Sequence, residues 1–120
     1  DEAISKLNVL VTLYPESYLA DDALYLKGYI ELMDLDAPAD ALLSMQTVRS
    51  SFPDTTYHDT SLYSEAMAQI ELGDTSQAEQ ILLDLKARHT SIAALGIELP
   101  KDNLLSRMWF ERADEALETV

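Results

Sequence analysis

Residues 3–15 read AISKLNVLVTLYP, and the same plan returns in ALLSMQTVRSSFP (41–53) and in AEQILLDLKARHT (78–90). Each stretch begins with an alanine, followed four and seven residues later by apolar residues and eleven residues later by an aromatic or imidazole side chain. Proline comes next in the first two stretches and threonine in the third. Apolar residues at these intervals share one face of an α-helix, so the pattern predicts three related helices.

The three leading alanines, Ala3, Ala41 and Ala78, lie 38 and 37 residues apart. A period of this length is typical of chains built from stacked helical units, in which each unit buries its apolar face against its neighbours. We therefore expect an all-α solenoid of stacked units.

Composition limits the possible partners. The chain has 120 residues, 48% of them hydrophobic, which is enough for one folded domain. Its 22 acidic residues outnumber eight basic ones, for a net charge of −14, and such a surface repels nucleic acid and anionic lipid. No apolar run approaches the roughly 20 residues of a membrane-spanning helix, so direct membrane insertion is not expected. The absence of cysteine excludes disulfides and thiolate sites.

The first helices are delimited by proline and capping residues. Pro15 ends the first helix, because proline cannot continue the hydrogen-bond ladder. Ser17 is a candidate N-cap for a second helix that runs to about Met33. Gly28 lies inside this second helix at a cost of about 1 kcal/mol relative to alanine. This glycine indicates that a neighbouring helix approaches closely there.

Two further helix starts are predicted from capping patterns. Asp36 is a candidate cap for a third helix, Pro38 to Ser51, since proline is favoured in the first helical turn. Ser76 and Glu79 have the spacing of a capping box at the start of a fifth helix.

The chain resembles the tetratricopeptide repeat family, whose signature places a large residue, a small residue, an alanine and a proline at set intervals. Leu62, Ala66, Ala78 and Thr90 keep these intervals in one copy. An earlier copy, Leu24, Gly28, Ala41 and Pro53, keeps them with one inserted residue, and Trp109 with Ala113 repeats the opening step. The chain departs from the family in its repeat length and in its middle leucine, which is replaced by Lys27, Glu65 and Arg112.

The resemblance implies a right-handed superhelical solenoid of antiparallel helix pairs, with about six helices in one domain. We expect a closing half-repeat at 1–15, repeats at 16–53 and 54–90, an insertion at 91–103 and a final helix at 104–119. The chain begins at Asp1 in the middle of the pattern, so we expect it to be a piece of a longer protein with further helical sequence before it.

The segments that bridge the helices, YPESYLADDALYLKG (14–28) and FPDTTYHDTSLYSEA (52–66), are similar to the bacterial cell-envelope branch of the family. That branch includes the Tol-Pal coordinator and outer-membrane assembly lipoproteins. The resemblance implies a scaffold in the bacterial periplasm or cell envelope, and otherwise a cytoplasmic one.

No residue pattern predicts catalysis. Asp34, Asp36 and Asp40 lack the glycine and the glutamate of a calcium loop, and we interpret them as turn and helix-end residues. His58 and His89 are interpreted as helix-end residues outside any metal motif. We therefore expect a protein that is not an enzyme and uses no cofactor and no metal.

A binding surface is predicted from the family resemblance, in which the first helix of each repeat lines a concave groove. Aromatic residues follow the large signature residue in each copy, with apolar or acidic residues four and eight places further on. The candidate groove residues are Tyr25, Tyr29, Met33, Tyr63, Met67, Glu71 and Phe110. The same spacing also fits aromatic residues that pack between helix layers, and the two interpretations differ in the exposure of the tyrosines.

We expect a protein-protein interaction scaffold that binds a basic or aromatic segment in an acidic groove. The alternative is a purely structural spacer or self-assembly segment of a larger protein. The first helix presents Ile4, Val11 and Val9 away from its main apolar stripe. An exposed apolar strip on a terminal repeat favours association, so we expect this helix either to pair in a homodimer or to fray.

Overall fold

The computed structural model describes residues 2–17, 19–94 and 111–118. These residues form α1 (Glu2–Leu13), α2 (Ala20–Met33), α3 (Pro38–Ser51), α4 (His58–Glu71), α5 (Thr75–Ala94) and a sixth helical segment, α6, at 111–117. Among α1 to α5, each helix packs against the next one in the chain. The described residues contain no strand, so the all-α prediction is confirmed, and the sequential packing is that of a helical solenoid.

Proline separates the second helix of one repeat from the first helix of the next. α1 ends at Leu13 and α3 ends at Ser51, each two residues before its proline. α5 differs, because it continues through Ala94, four residues beyond Thr90 and into the predicted insertion. Threonine keeps its backbone N–H and can remain helical, whereas proline cannot. His89 therefore lies inside a helix rather than at its end.

The linkers that follow these prolines are closed by hydroxyl side chains. The backbone N–H of Leu19 donates to Ser17 Oγ at 3.2 Å, and the N–H of Tyr57 donates to Thr55 Oγ1 at 3.1 Å. α2 begins at Ala20, so Ser17 stabilises the turn before the helix and is not itself the N-cap. The correspondence of Ser17 and Thr55 in the two repeats is nevertheless retained.

The turns inside each repeat share a left-handed residue. Asp36 has φ 49° and Gly73 has φ 85°, 37 residues apart, and each lies in the turn that follows the first helix of its repeat. The observed helix caps differ from the predicted ones. Ala37 and not Asp36 occupies the N-cap of α3. At α5 the backbone N–H of Gln77 donates to Asp74 Oδ1 at 3.2 Å, so Asp74 caps this helix in place of Ser76.

Small residues lie where paired helices cross, as predicted. A Cβ placed on Gly28 would lie 2.9 Å from Met45 Cε and 3.1 Å from Ser44 Cβ, so α2 and α3 touch at this point. The core alanines and the apolar residues four and seven places after them are fully buried: Ala41, Met45, Val48, Ala78, Leu82 and Leu85. These residues form the seam that joins the two helices of each repeat.

Charged residues replace the family's middle leucine, and two of them take part in partly buried polar contacts between helices. Lys27 Nζ donates to Ser44 Oγ at 3.2 Å, and Ser44 Oγ donates to Glu31 Oε1 at 2.6 Å, which ties α2 to α3. Arg49 of α3 donates to Glu65 Oε1 of α4 at 2.8 Å. The departure from the family pattern is therefore compensated, because these buried charges have partners.

Candidate interaction surface

α2 carries three of the predicted groove residues, Tyr25, Tyr29 and Met33, at intervals of four residues along one face. Exposure increases along this face, because Tyr25 is half-buried, Tyr29 is 44% exposed and Met33 is 61% exposed. The large exposed apolar area therefore lies at the C-terminal end of α2. An apolar stripe that remains open at one end of a helix can accept a side chain from a partner.

Tyr57, which the repeat pattern did not identify, covers the half-buried end of this face. The ring of Tyr57 stacks on that of Tyr25, with centroids 4.5 Å apart and an interplanar angle of 12°. Tyr29 continues the cluster, 6.4 Å from Tyr25 and tilted by 38°. Tyr57 lies just before α4, in a bridging segment to which repeat spacing assigned no groove position, so only the folded arrangement identifies it.

Polar contacts hold this aromatic stack in place. Thr55 Oγ1 donates to Asp21 Oδ2 at 2.8 Å. The Tyr57 hydroxyl is hydrogen-bonded to Asp22, and this bond, together with burial and the negative charges of Asp22 and Asp21, raises the pKa of Tyr57 to about 12 from 10.0. The phenol therefore stays protonated to a higher pH than an ordinary tyrosine. These contacts fasten the start of α2 to the linker before α4.

The predicted groove residues on α4 are placed differently from those on α2. Tyr63 and Met67 are half-buried and pack against the core cluster that contains Ala66 and Leu82. Glu71, at the C-terminal end of the same helix, is exposed. Helices α2 and α4 also contact each other directly. Phe110 lies outside the described residues.

The electrostatic surface beside Met33 is acidic. The basic side chains that the structure pairs with acidic ones are Lys6 with Glu2, Lys27 with Glu31, Arg49 with Glu65, Lys86 with Asp114 and Arg88 with Asp59. These ion pairs within the chain neutralise much of its positive charge. Around the turns that end α2 and α4, the exposed acids are Asp34, Asp36, Asp40, Glu71 and Asp74. The open apolar end of α2 therefore borders a negatively charged edge.

Within 2–17, 19–94 and 111–118, no group of three or more His, Cys, Asp or Glu side chains is placed to hold a metal ion. His58 opens α4, with Nδ1 3.1 Å from Asp59 Oδ1 and 3.2 Å from Arg88. Among the described helices, none is long and apolar enough to cross a membrane.

In the comparison with known protein families, one helix pair of the chain gives a match. Residues 60–90, which cover most of α4 and the larger part of α5, match a family model. This family model describes the tetratricopeptide repeat (TPR), and it matches 31 of the 120 residues of the chain. The match supports the TPR family for this chain, in agreement with the helical solenoid seen in the structure. No curated protein and no solved structure gives a significant match. TPR units mediate protein-protein interactions, and proteins that contain them are typically non-enzymatic scaffolds.

Proposed function

We propose that this TPR chain is a protein-protein interaction scaffold that binds a partner segment along α2 and α4. The observation that carries the proposal is the open end of the α2 face, where Tyr29 is 44% exposed and Met33 is 61% exposed beside an acidic edge. The proposed groove comprises Tyr25, Tyr29, Met33, Tyr63, Met67, Glu71 and Phe110. Interface hot spots are commonly aromatic or large apolar residues inside a polar rim, which fits this composition.

The groove residues are proposed to have two different roles. Tyr25 is held by the stack on Tyr57, and Tyr63 packs on the core, so both form the rigid wall of the groove. Tyr29 and Met33 offer the accessible contact area. A rigid wall lowers the conformational entropy lost on binding, because the side chains that receive the partner are already ordered.

The negative charge beside the groove determines which partner segments are favoured. The exposed acids at the ends of α2 and α4 favour a segment that carries Lys or Arg beside an aromatic or aliphatic residue. Nucleic acid is disfavoured by the same charge. A second copy of the chain is the other partner that the sequence predicts, through α1 rather than through this groove.

Replacing Tyr29 or Met33 by alanine is expected to weaken binding of a synthetic peptide rich in Lys and Trp by more than about 1 kcal/mol, roughly fivefold or more. The reason is the loss of the accessible apolar contact. Isothermal titration calorimetry at two salt concentrations measures the effect, and wild-type binding should weaken with salt. Leu43→Ala is the matched control, because Leu43 is a large apolar residue of similar exposure (65%) that lies on α3 and outside the proposed groove.

Equal affinity for the Tyr29→Ala and Leu43→Ala proteins would contradict the assigned groove. Absence of any binding would instead favour the structural spacer. The observation that favours this second candidate is the packing of Tyr63 and Met67 against the core. In a spacer, these side chains serve only to join neighbouring repeats.

We also propose a setting in the bacterial periplasm or cell envelope, on the strength of the bridging segments 14–28 and 52–66. Fractionation of bacterial cells that produce the intact protein tests this proposal. Recovery in the periplasmic or envelope fraction is the expected result. Recovery with the cytoplasmic proteins would assign the scaffold to that compartment.

A further inference from the structure

A surface pocket with a volume of about 410 Å³ lies where the linker after α1 meets the linker after α3. One wall comes from the first linker and the start of α2, and the other comes from the end of α3 and the second linker. The residues that matter for its chemistry are Ser17, Asp21, Ser51, Phe52, Asp54 and Thr55. Elements of the chain thus bound this linker pocket on both sides.

The lining of the linker pocket combines two carboxylates with an aromatic ring. Asp21 and Phe52 are half-buried, and Asp54 is exposed. The Asp21 carboxylate is held in place, because Oδ2 accepts from Thr55 Oγ1 at 2.8 Å and Oδ1 accepts from the Asp22 N–H at 3.0 Å. In the described part of the chain, no basic side chain forms an ion pair with Asp21 or Asp54. Each carboxylate oxygen has a further lone pair that can accept a hydrogen bond.

The second repeat contains the ion pair that the first repeat lacks. Asp59 lies 38 residues after Asp21, and Arg88 lies 37 residues after Ser51, so both are repeat equivalents. Arg88 Nε is 3.4 Å from Asp59 Oδ1, and an amino group of the same guanidinium is 3.2 Å from His58 Nδ1. A guanidinium therefore covers the carboxylate at the start of α4. In the first repeat, serine replaces this arginine and the corresponding space belongs to the linker pocket.

The lining favours a planar cation. A guanidinium can stack its face on an aromatic ring while its edge donates to a carboxylate, whereas an ammonium group has no flat face. Phe52 supplies the ring and Asp21 the carboxylate. Within the chain, Arg49 already donates to Glu65 and Arg88 already pairs with Asp59. Neither of these arginines is therefore available to the linker pocket.

We propose that the linker pocket binds the guanidinium group of an arginine side chain presented by a partner protein. The Asp21 carboxylate accepts from this group as Asp59 accepts from Arg88, and Asp54 adds a second negative charge. Phe52 provides the surface on which the guanidinium stacks. Asp21 and Met33 are twelve residues apart on α2, about 18 Å along the helix, so the site is separate from the open end of the proposed groove. Either site can fail without the other.

The test uses the peptide acetyl-Gly-Arg-Gly-amide, titrated into the isotope-labelled chain and followed by NMR. Saturable shifts are expected at Asp21, Phe52 and Thr55. The same peptide with citrulline in place of arginine should give no shifts, because citrulline has nearly the same shape without the charge. The lysine peptide should bind at least about threefold more weakly, since it loses the stacked and two-pronged contacts.

Removal of the Asp21 charge separates binding from folding. Asp21→Asn should weaken the arginine peptide about tenfold or more, because a hydrogen bond to a charged partner is lost. The asparagine oxygen can still accept from Thr55, so the thermal melt should be unchanged. Asp36→Asn is the matched control. It removes the same charge from the turn before α3, and asparagine tolerates the positive φ of that position.

Ser51→Arg tests the comparison between the repeats. Ser51 is exposed at the end of α3, and the substitution places a guanidinium where the second repeat has Arg88. The linker pocket should then be filled from within the chain, and peptide binding should be abolished. Gln46→Arg adds the same charge at another exposed position of α3 and should leave binding in place.

Four results would overturn the proposal. The first is the absence of saturable shifts with the arginine peptide, and the second is equal affinity for the lysine peptide. The third is an equal loss of affinity in Asp21→Asn and Asp36→Asn, which would indicate general attraction to a negative surface. The fourth is binding that survives Ser51→Arg or that shifts only Tyr29 and Met33, which would place the arginine in the α2 groove.

Discussion

Arg49→Met is expected to lower the free energy of unfolding by about 3–5 kcal/mol. The guanidinium donates to Ser61 Oγ at 2.9 Å and to Glu65 Oε1 at 2.8 Å, and only 17% of the Arg49 side chain and 7% of the Glu65 side chain are exposed. Without Arg49, the Glu65 carboxylate would remain buried without its positive partner. Urea denaturation followed by circular dichroism measures the loss.

The control for this prediction is an exposed ion pair. Lys6 and Glu2 pair within α1 with 75% and 85% of their side chains exposed, so Lys6→Met should cost less than about 0.5 kcal/mol. Arg49→Met combined with Glu65→Leu should recover much of the loss, because both charges are then removed together. A loss for Arg49→Met no larger than that for Lys6→Met would show that the α3–α4 contact contributes little.

Ala41→Leu is expected to destabilise the fold by about 1–3 kcal/mol. Ala41 has 0% exposure and belongs to the core cluster with Leu32 and Ala68. Three additional carbon atoms in this close-packed seam require α2 and α3 to separate or their side chains to leave preferred rotamers. Thermal and urea unfolding of the variant give the change in stability.

The equivalent alanine in α1, Ala3, serves as the control for Ala41→Leu. Ala3 is the equivalent of Ala41 in the half-repeat at 1–15 but is exposed, so Ala3→Leu should change the stability by less than about 0.5 kcal/mol. The two substitutions have the same chemistry and the same register and differ only in what lies over them. Equal destabilisation by both would contradict the repeat register assigned to α1.

The elements of the fold were largely predictable. α3 runs from Pro38 to Ser51 as expected, and Gly28 marks the close approach of two helices. Helix caps were less predictable, because a serine or aspartate near a helix start can stabilise the preceding turn as well as the helix. Asp74 and Ser76 are both suitable caps in sequence, and only the backbone geometry selects Asp74.

Repeat spacing predicted the residues of the candidate groove but not the differences between their surroundings. Repeat spacing treats Tyr25 and Tyr63 as equivalent residues. In the structure Tyr25 stacks on Tyr57, whereas Tyr63 packs on the core around Leu82. Spacing places a side chain on a face of a helix, but the neighbouring helices and linkers decide how much of that face remains open.

Periodicity alone determined that this chain is helical, that its units repeat after 37–38 residues, and that alanine and glycine mark the crossings. These properties depend on residues close together in sequence, since helix faces, turns and stops are set by local spacing and backbone chemistry. The tertiary structure decided the ion pair that Arg49 makes, the stack of Tyr25 on Tyr57, and the half-burial of Ile4 and Val11, for which the predicted exposure was wrong. Each of these depends on which helix lies next to which, and contacts between residues far apart in the chain leave no periodic signal in the sequence.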